Sequence, residues 1–135
     1  MRARDALGRP VAVGSPLAVE PVPEAPLPPD EALETAQRLL DQGRAFSAHE
    51  VLEASWKAAP APERATWQGL AQVCVGLTHL QRGNLVGAAR LLRRGAGNLG
   101  DHPVAAQAVA AAERVEAGDA GPPSITLRGC GSPPP

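Results

Sequence analysis

The stretch from Phe46 to Trp56 contains His49-Glu50-x-x-Glu53, one residue away from the His-Glu-x-x-His signature of zinc hydrolases. In that signature both histidines bind the metal and the glutamate between them is the base. Glu53 occupies the second histidine position, so that mechanism does not transfer. Imidazole and carboxylate together still suit zinc, iron or manganese, and a His/Glu/His set leaves positions open for water and substrate. Such a metal could activate water for hydrolysis. The third ligand of that set would be His79, on a stripe with Gln68, Gln72 and Val75 at helical spacing. On the preceding helix, His49, Leu52, Glu53 and Trp56 share one face at spacings of three, four and seven. If the two stripes meet, His49, Glu53, Gln72 and His79 come within reach of one another. Three readings are open for that cluster. It is a metal-dependent hydrolase-like site, a polar pocket for a ligand, or a hydrogen-bonded network that fixes helix register. No nucleophile stands beside the pair. A divalent metal is the cofactor such a site would take, and no other cofactor is predicted.

Helix punctuation must position these residues. Asp30, after Pro28-Pro29, can cap a first helix running to about Gln42, where Gly43 offers the left-handed stop that glycine adopts cheaply. Ser47 with Glu50 three residues on spells a Ser-x-x-Glu capping box for a second helix ending before Pro60. Phe46, just ahead of that cap, reads as a hydrophobic staple. Pro62 and Glu63 open a third helix, stopped by Gly83, and Gly69 and Gly76 along it let another helix approach closely. Asn84 caps a fourth helix reaching to near Gly100. On it Leu85, Ala88, Leu92, Ala96 and Leu99 fall to one side and Arg90, Arg93 and Arg94 to the other. Asp101 caps a fifth helix, with Pro103 and a surface His102 in its first turn and Gly118 past its end. No stretch alternates with period two. A faint echo at a spacing of 40 aligns Gly43 with Gly83, Ala48 with Ala88 and Leu52 with Leu92, as two similar helix-turn-helix units would.

The expected fold is therefore all-α: a single bundle of four to five antiparallel helices built from two helical hairpins, with disordered Pro-rich ends. Seven of the 15 prolines lie at or before Pro29 and five lie after Gly121. This divides the chain into a Pro-rich segment 1–29, a helical bundle 30–118 and a tail 119–135. The flanks lack apolar periodicity and bury too little to offset chain entropy. No signal-peptide pattern and no apolar run of membrane-spanning length is visible. Cys74 lies in an apolar helix and Cys130 in the tail, which does not make a disulfide framework, and a cytoplasmic setting is expected.

Net charge is −1, which argues against bulk electrostatic binding to nucleic acid. Residues 30–63 carry seven acids and three bases, and residues 64–100 carry five arginines and no acid. The two halves can face each other across the bundle, or the Arg90, Arg93 and Arg94 face can meet an acidic protein or RNA. Phe46, Trp56 and Trp67 are the only aromatics and read as core packing, since a base-stacking platform needs several exposed rings among basic residues.

Phe46, His49-Glu50-x-x-Glu53-x-x-Trp56, Gln68-Gly69, His79, Gly83-Asn84 and Ala89 with Leu91-Leu92 together resemble the domain-of-unknown-function 309 family. That group is small and bacterial, archaeal and plastid-lineage. The resemblance covers roughly residues 35–99 and implies a compact all-α bundle and no established reaction. Ser55 stands where a larger or acidic residue is common in similar sequences. The leading functional expectation is a small soluble binding module whose His/Glu cluster is structural. The rivals are a metal-dependent hydrolase using His49, Glu53 and His79, and an oligomeric structural protein with an apolar homo-oligomer interface. No membrane partner is expected.

Overall fold

A computed structural model describes residues 3–22 and 24–128 of the 135. A two-stranded antiparallel ribbon, β1 (Ala3–Arg4) and β2 (Pro10–Val11), precedes five helices. These are α1 (Pro29–Asp41), α2 (Ala45–Ala58), α3 (Ala61–Gln81), α4 (Leu85–Leu99) and α5 (Pro103–Glu116). Each helix packs on the next, giving an all-α array of hairpins around one hydrophobic core. No helix among the described residues is long and apolar enough to cross a membrane.

The echo at a spacing of 40 has a structural basis. Gly43 (φ +77°) and Gly83 (φ +81°) end α1 and α3 in the left-handed region. In the first turn the N–H groups of Gly43 and Arg44 return to the carbonyls of Leu40 and Leu39. In the second, those of Gly83 and Asn84 return to Leu80 and His79. Both are Schellman-type stops, which satisfy the orphan carbonyls of a helix end. The residues after each turn match too: Ala48 and Ala88, and Leu52 and Leu92, are all fully buried. Gln81 Nε2 donates to the Gly43 carbonyl (2.9 Å) and ties the two turns together.

The two hairpins differ where α3 meets α4. A Cβ on Gly69 would lie 2.7 Å from Leu99 Cγ, and one on Gly95 would lie 2.8 Å from the Gly69 carbonyl oxygen. Both distances are below any real Cβ contact, so alanine at either position would push the backbones apart.

Helix starts depart from the sequence reading in three places. α1 begins at Pro29, where a missing N–H is tolerated, so Asp30 is inside the first turn and makes no capping bond. α2 begins at Ala45, two residues before Ser47, because the Gly43 stop hands directly to Arg44 as the N-cap. Ser47 and Glu50 therefore form no capping box, and Phe46 lies within the helix rather than ahead of it as a staple. On α5 the cap is His102 and not Asp101: His102 Nδ1 accepts from the Val104 N–H at 3.1 Å. Asn84 does cap α4, accepting from the Gly87 N–H at 2.9 Å.

The described parts of both flanks lie on the bundle. Ile125 and Leu127 are buried, Leu127 completely. Two glutamines read this extended tail as neighbouring strands would. Gln37 of α1 donates to the Ile125 carbonyl (3.0 Å) and accepts from the Leu127 N–H (2.7 Å). Gln107 of α5 donates to the Thr126 carbonyl (3.1 Å) and accepts from its N–H (2.8 Å). The tail thus joins the first helix to the last. Composition hides it because only two apolar side chains carry the burial and the partners are polar. Residues 129–135, with Cys130, lie outside the described residues.

Candidate functional site

The buried side of α2 is Ala45, Ala48, Val51, Leu52 and Ser55, with Ser47 also buried. Ser55 Oγ turns back to the Val51 carbonyl at 3.5 Å. Trp56 packs partly on the core, and the N-terminal arm (residues 3–22) lies along the side of the helix that carries Phe46, Glu50 and Glu53. His49 Nδ1 lies 3.2 Å from the Phe46 carbonyl, and its Nε2 lies 3.8 Å from Glu53 Oε2. Glu53 Oε1 in turn lies 3.9 Å from Lys57 Nζ. His49, Glu53 and Lys57 therefore follow one another at i, i+4 along one side of the helix.

The expected four-residue cluster does not form. Gln72 accepts from Asn98 Nδ2 at 2.6 Å and belongs to the α3–α4 contact. His79 Nδ1 lies 3.2 Å from Asn84 Nδ2. An amide nitrogen donates only, so His79 Nδ1 accepts there, and the bond steers the Asn84 oxygen toward the Gly87 N–H that it caps. His79, Gly83 and Asn84 form one stop-and-restart unit between α3 and α4. The α3 stripe does not project toward α2, because glycines draw that side of α3 onto α4. Among the described residues no three His, Cys, Asp or Glu side chains are placed to hold a metal ion. Cys74 is fully buried, and desolvation pushes its thiol up to about 12, so it supplies no thiolate near neutral pH.

The aromatics divide. Trp67 is buried and its Nε1 lies 3.4 Å from Glu63 Oε1. Trp56 packs on the core while partly exposed. Phe46 does not belong to the core. Its ring lies between the bundle and the arm, 5.3 Å from the His49 ring, with the Arg4 guanidinium 5.0 Å and the Arg82 guanidinium 5.9 Å from its centroid. Both cations are within range of a cation–π attraction. Gly8 (φ +81°) sits on the ring so closely that a Cβ there would lie 2.3 Å from Phe46 Cγ.

Beneath the arm is a cleft of about 730 Å³, lined by Arg4, Val19, Pro21, Phe46, Glu50 and Glu53 among others. Glu50 is half-buried in it and has no hydrogen-bond or ion-pair partner among the described residues. Burial raises its carboxyl above the usual range, against the lowering pull of His49 and Arg4. At the rim, Arg44 Nη2 reaches the Glu20 carbonyl and Ser47 Oγ (3.1 Å), while its buried Nε finds no acceptor among the described residues.

The arginine face of α4 is partly consumed. Arg93 makes a two-pronged pair with Glu116 of α5, at 2.8 and 2.7 Å. Those bonds hold the Glu116 carboxyl below its usual range. Arg90 and Arg94 remain exposed.

Residues 33–91 match the family model described as Domain of unknown function (DUF309). That segment, somewhat under half of the chain, is what is similar to the family. The DUF309 match takes in both turn units and the whole of α2 and α3, and it leaves out the arm, α5 and the tail. No curated protein and no solved structure matches the chain. Sequence reasoning missed Arg4, Gly8 and Arg44 as partners of the DUF309 helix α2. Their signal was Phe46: a phenylalanine outside the core periodicity needs another cover.

Proposed function

We propose that the protein is a small helical binding module, without catalysis, whose site is the cleft between α2 and the N-terminal arm. The observation that carries this reading is Glu50. A half-buried carboxylate with no partner costs stability, and here it faces about 730 Å³ of space with a phenylalanine ring on the wall. A cation with a flat or aliphatic body fits such walls. A guanidinium can meet the Glu50 carboxylate through paired N–H groups while stacking near Phe46. His49 and Glu53 hold the charge pattern of the helix in this reading and transfer no proton. A reducing, cytoplasmic setting fits the buried free thiol of Cys74.

The test is an NMR titration of the full chain with propylguanidinium, followed at the backbone amides. Binding should move the signals of Phe46, Ser47, Glu50 and Glu53, and Glu50→Gln should weaken it by about tenfold, the scale of one charge-assisted contact. Glu50→Gln should also raise the melting temperature at pH 7, because it removes the desolvated charge. That gain should shrink as acid protonates the wild-type carboxyl. Signals that move only elsewhere, or not at all, would remove the cleft as the site.

A further inference from the structure

The arm itself shows what the outer face of α2 recognises. It is a preformed turn: the Asp5 carboxylate accepts from the N–H groups of Leu7 (3.0 Å) and Arg9 (2.9 Å), and the Gly8 N–H returns to the Asp5 carbonyl (3.0 Å). Arg4 Nη1 donates to the Gly8 carbonyl (2.6 Å), which draws the guanidinium over the corner it shares with Phe46. From the bundle, Arg82 Nε donates to the Leu7 carbonyl (2.9 Å) and Arg44 to the Glu20 carbonyl. Besides the packing of Val22 on the core, the bundle holds the arm through one ring and two guanidinium donors aimed at main-chain oxygens. Backbone acceptors give affinity without sequence, while the ring chooses the cation and the glycine.

The arm is loosely seated. Its Val13 and Leu17 are largely exposed, at 78% and 65%, and an open cleft lies beneath it. A segment held by a few polar contacts over unfilled space opens more easily than a packed element. It also lies outside the matched DUF309 segment, whereas Phe46, Arg44 and Arg82 lie inside it.

We propose that the Phe46–Arg44–Arg82 surface, where α2 begins beside the end of α3, is a peptide-docking surface for a tight turn of the form Arg-x-x-x-Gly, and that the chain's own arm occupies it in cis. The partner is a protein segment with arginine on its entering strand and a left-handed glycine at the corner. The arm keeps other turns off until one competes successfully. This rests on the binding-module reading and adds the ligand class and the regulation.

Gly8 gives a test within the full chain. Any side chain there is strained by φ +81° and collides with Phe46, so Gly8→Val ejects the arm while every bundle residue stays in place. Arg4→Ala, also confined to the arm, weakens its seat by a second route. The probe is a fluorescein-labelled peptide of residues 3–22, read by anisotropy. A tethered arm has an effective concentration of about 1 mM, so an arm docked about nine-tenths of the time implies a peptide Kd of about 0.1 mM or tighter for the vacated face. The wild-type chain, taxed by its own arm, should bind at least about tenfold more weakly than Gly8→Val. Adding Phe46→Ala to Gly8→Val should abolish binding, as should Gly8→Val within the peptide.

Equal affinity in wild type and both arm variants would show that the arm does not occlude the face, and would overturn the proposal. So would the absence of binding to a Gly8→Val protein that keeps its helical circular dichroism and melting temperature. If propylguanidinium still binds the cleft of the wild-type chain, whose arm is in place, the binding-module reading stands and only the turn-recognition inference falls. If neither probe binds, both fall.

Discussion

Replacing Leu127 by alanine tests whether the tail belongs to the fold. The side chain is fully buried, and the tail's backbone at Ile125 and Leu127 is held by Gln37. A buried Leu→Ala change costs about 2–5 kcal/mol, with the size set by how far the site collapses afterwards. Leu127 sits on a single extended segment with solvent behind it, which can settle inward, so the lower half of that range applies. At a urea m-value of about 1.5 kcal/mol/M, a loss of about 2–3 kcal/mol lowers the unfolding midpoint by about 1.3–2 M. Gln37→Ala removes both tail bonds and leaves a part-buried N–H and carbonyl unpaired, at about 1–3 kcal/mol. The two changes should not add. Once Leu127→Ala has loosened the tail, Gln37 has little left to hold, so the double variant should fall short of the sum by about 1 kcal/mol or more. Urea titrations followed by Trp fluorescence and by circular dichroism would measure all three. A midpoint for Leu127→Ala within about 0.3 M of wild type, or strict additivity with Gln37→Ala, would refute the tail as a packed element.

Two further predictions concern the helix starts. Asn84→Ala removes the cap of α4 and should cost about 1 kcal/mol in urea unfolding, with His79→Ala costing less because His79 acts by steering that cap. The ring nitrogen of His102 must stay unprotonated to cap α5, and burial lowers its pKa from 6.5. The unfolded chain therefore takes up the proton first, so stability is full above about pH 6.5 and falls with pH until the folded value is passed. His102→Asn keeps an acceptor without titrating. The difference in melting temperature between it and wild type should therefore grow in its favour from pH 7.5 to pH 5.5, and a constant difference would count against the cap.

Helices were legible where local chemistry decides them. Gly43 and Gly83 mark stops because only a left-handed residue closes those turns, and Asn84 marks a start because its oxygen reaches the Gly87 N–H. The starts of α2 and α5 were not legible for the same local reason. Ser47 and Asp101 are good caps in isolation, but the Gly43 turn already fixes Arg44 as the boundary, and Leu99–His102 backbone pairing carries the chain past Asp101. The supposed four-residue cluster failed at the level of helix rotation. A stripe at a spacing of four tells which residues share a face, and not which neighbour the face meets. Gly69, Gly76 and Gly95 decided that question by drawing α3 onto α4.

The signature residues thus separate by what they do physically. His79, Gly83 and Asn84 build a turn, Gln68 and Gln72 sit on the glycine-bearing helix, and Leu92 packs in the core. None of these needs a ligand to account for it. Phe46 and Glu50 are different, since the bundle gives the ring no core to fill and the carboxylate no partner. Glu50 would be more stably replaced by a neutral residue if packing alone governed it, and the Phe46 ring is covered by Gly8 and Arg4 of the arm. A half-buried carboxylate with no hydrogen-bond or ion-pair partner among the described residues is a continuing cost. The outer face of α2 is therefore where stability has been given up, and it is also the face that the arm covers.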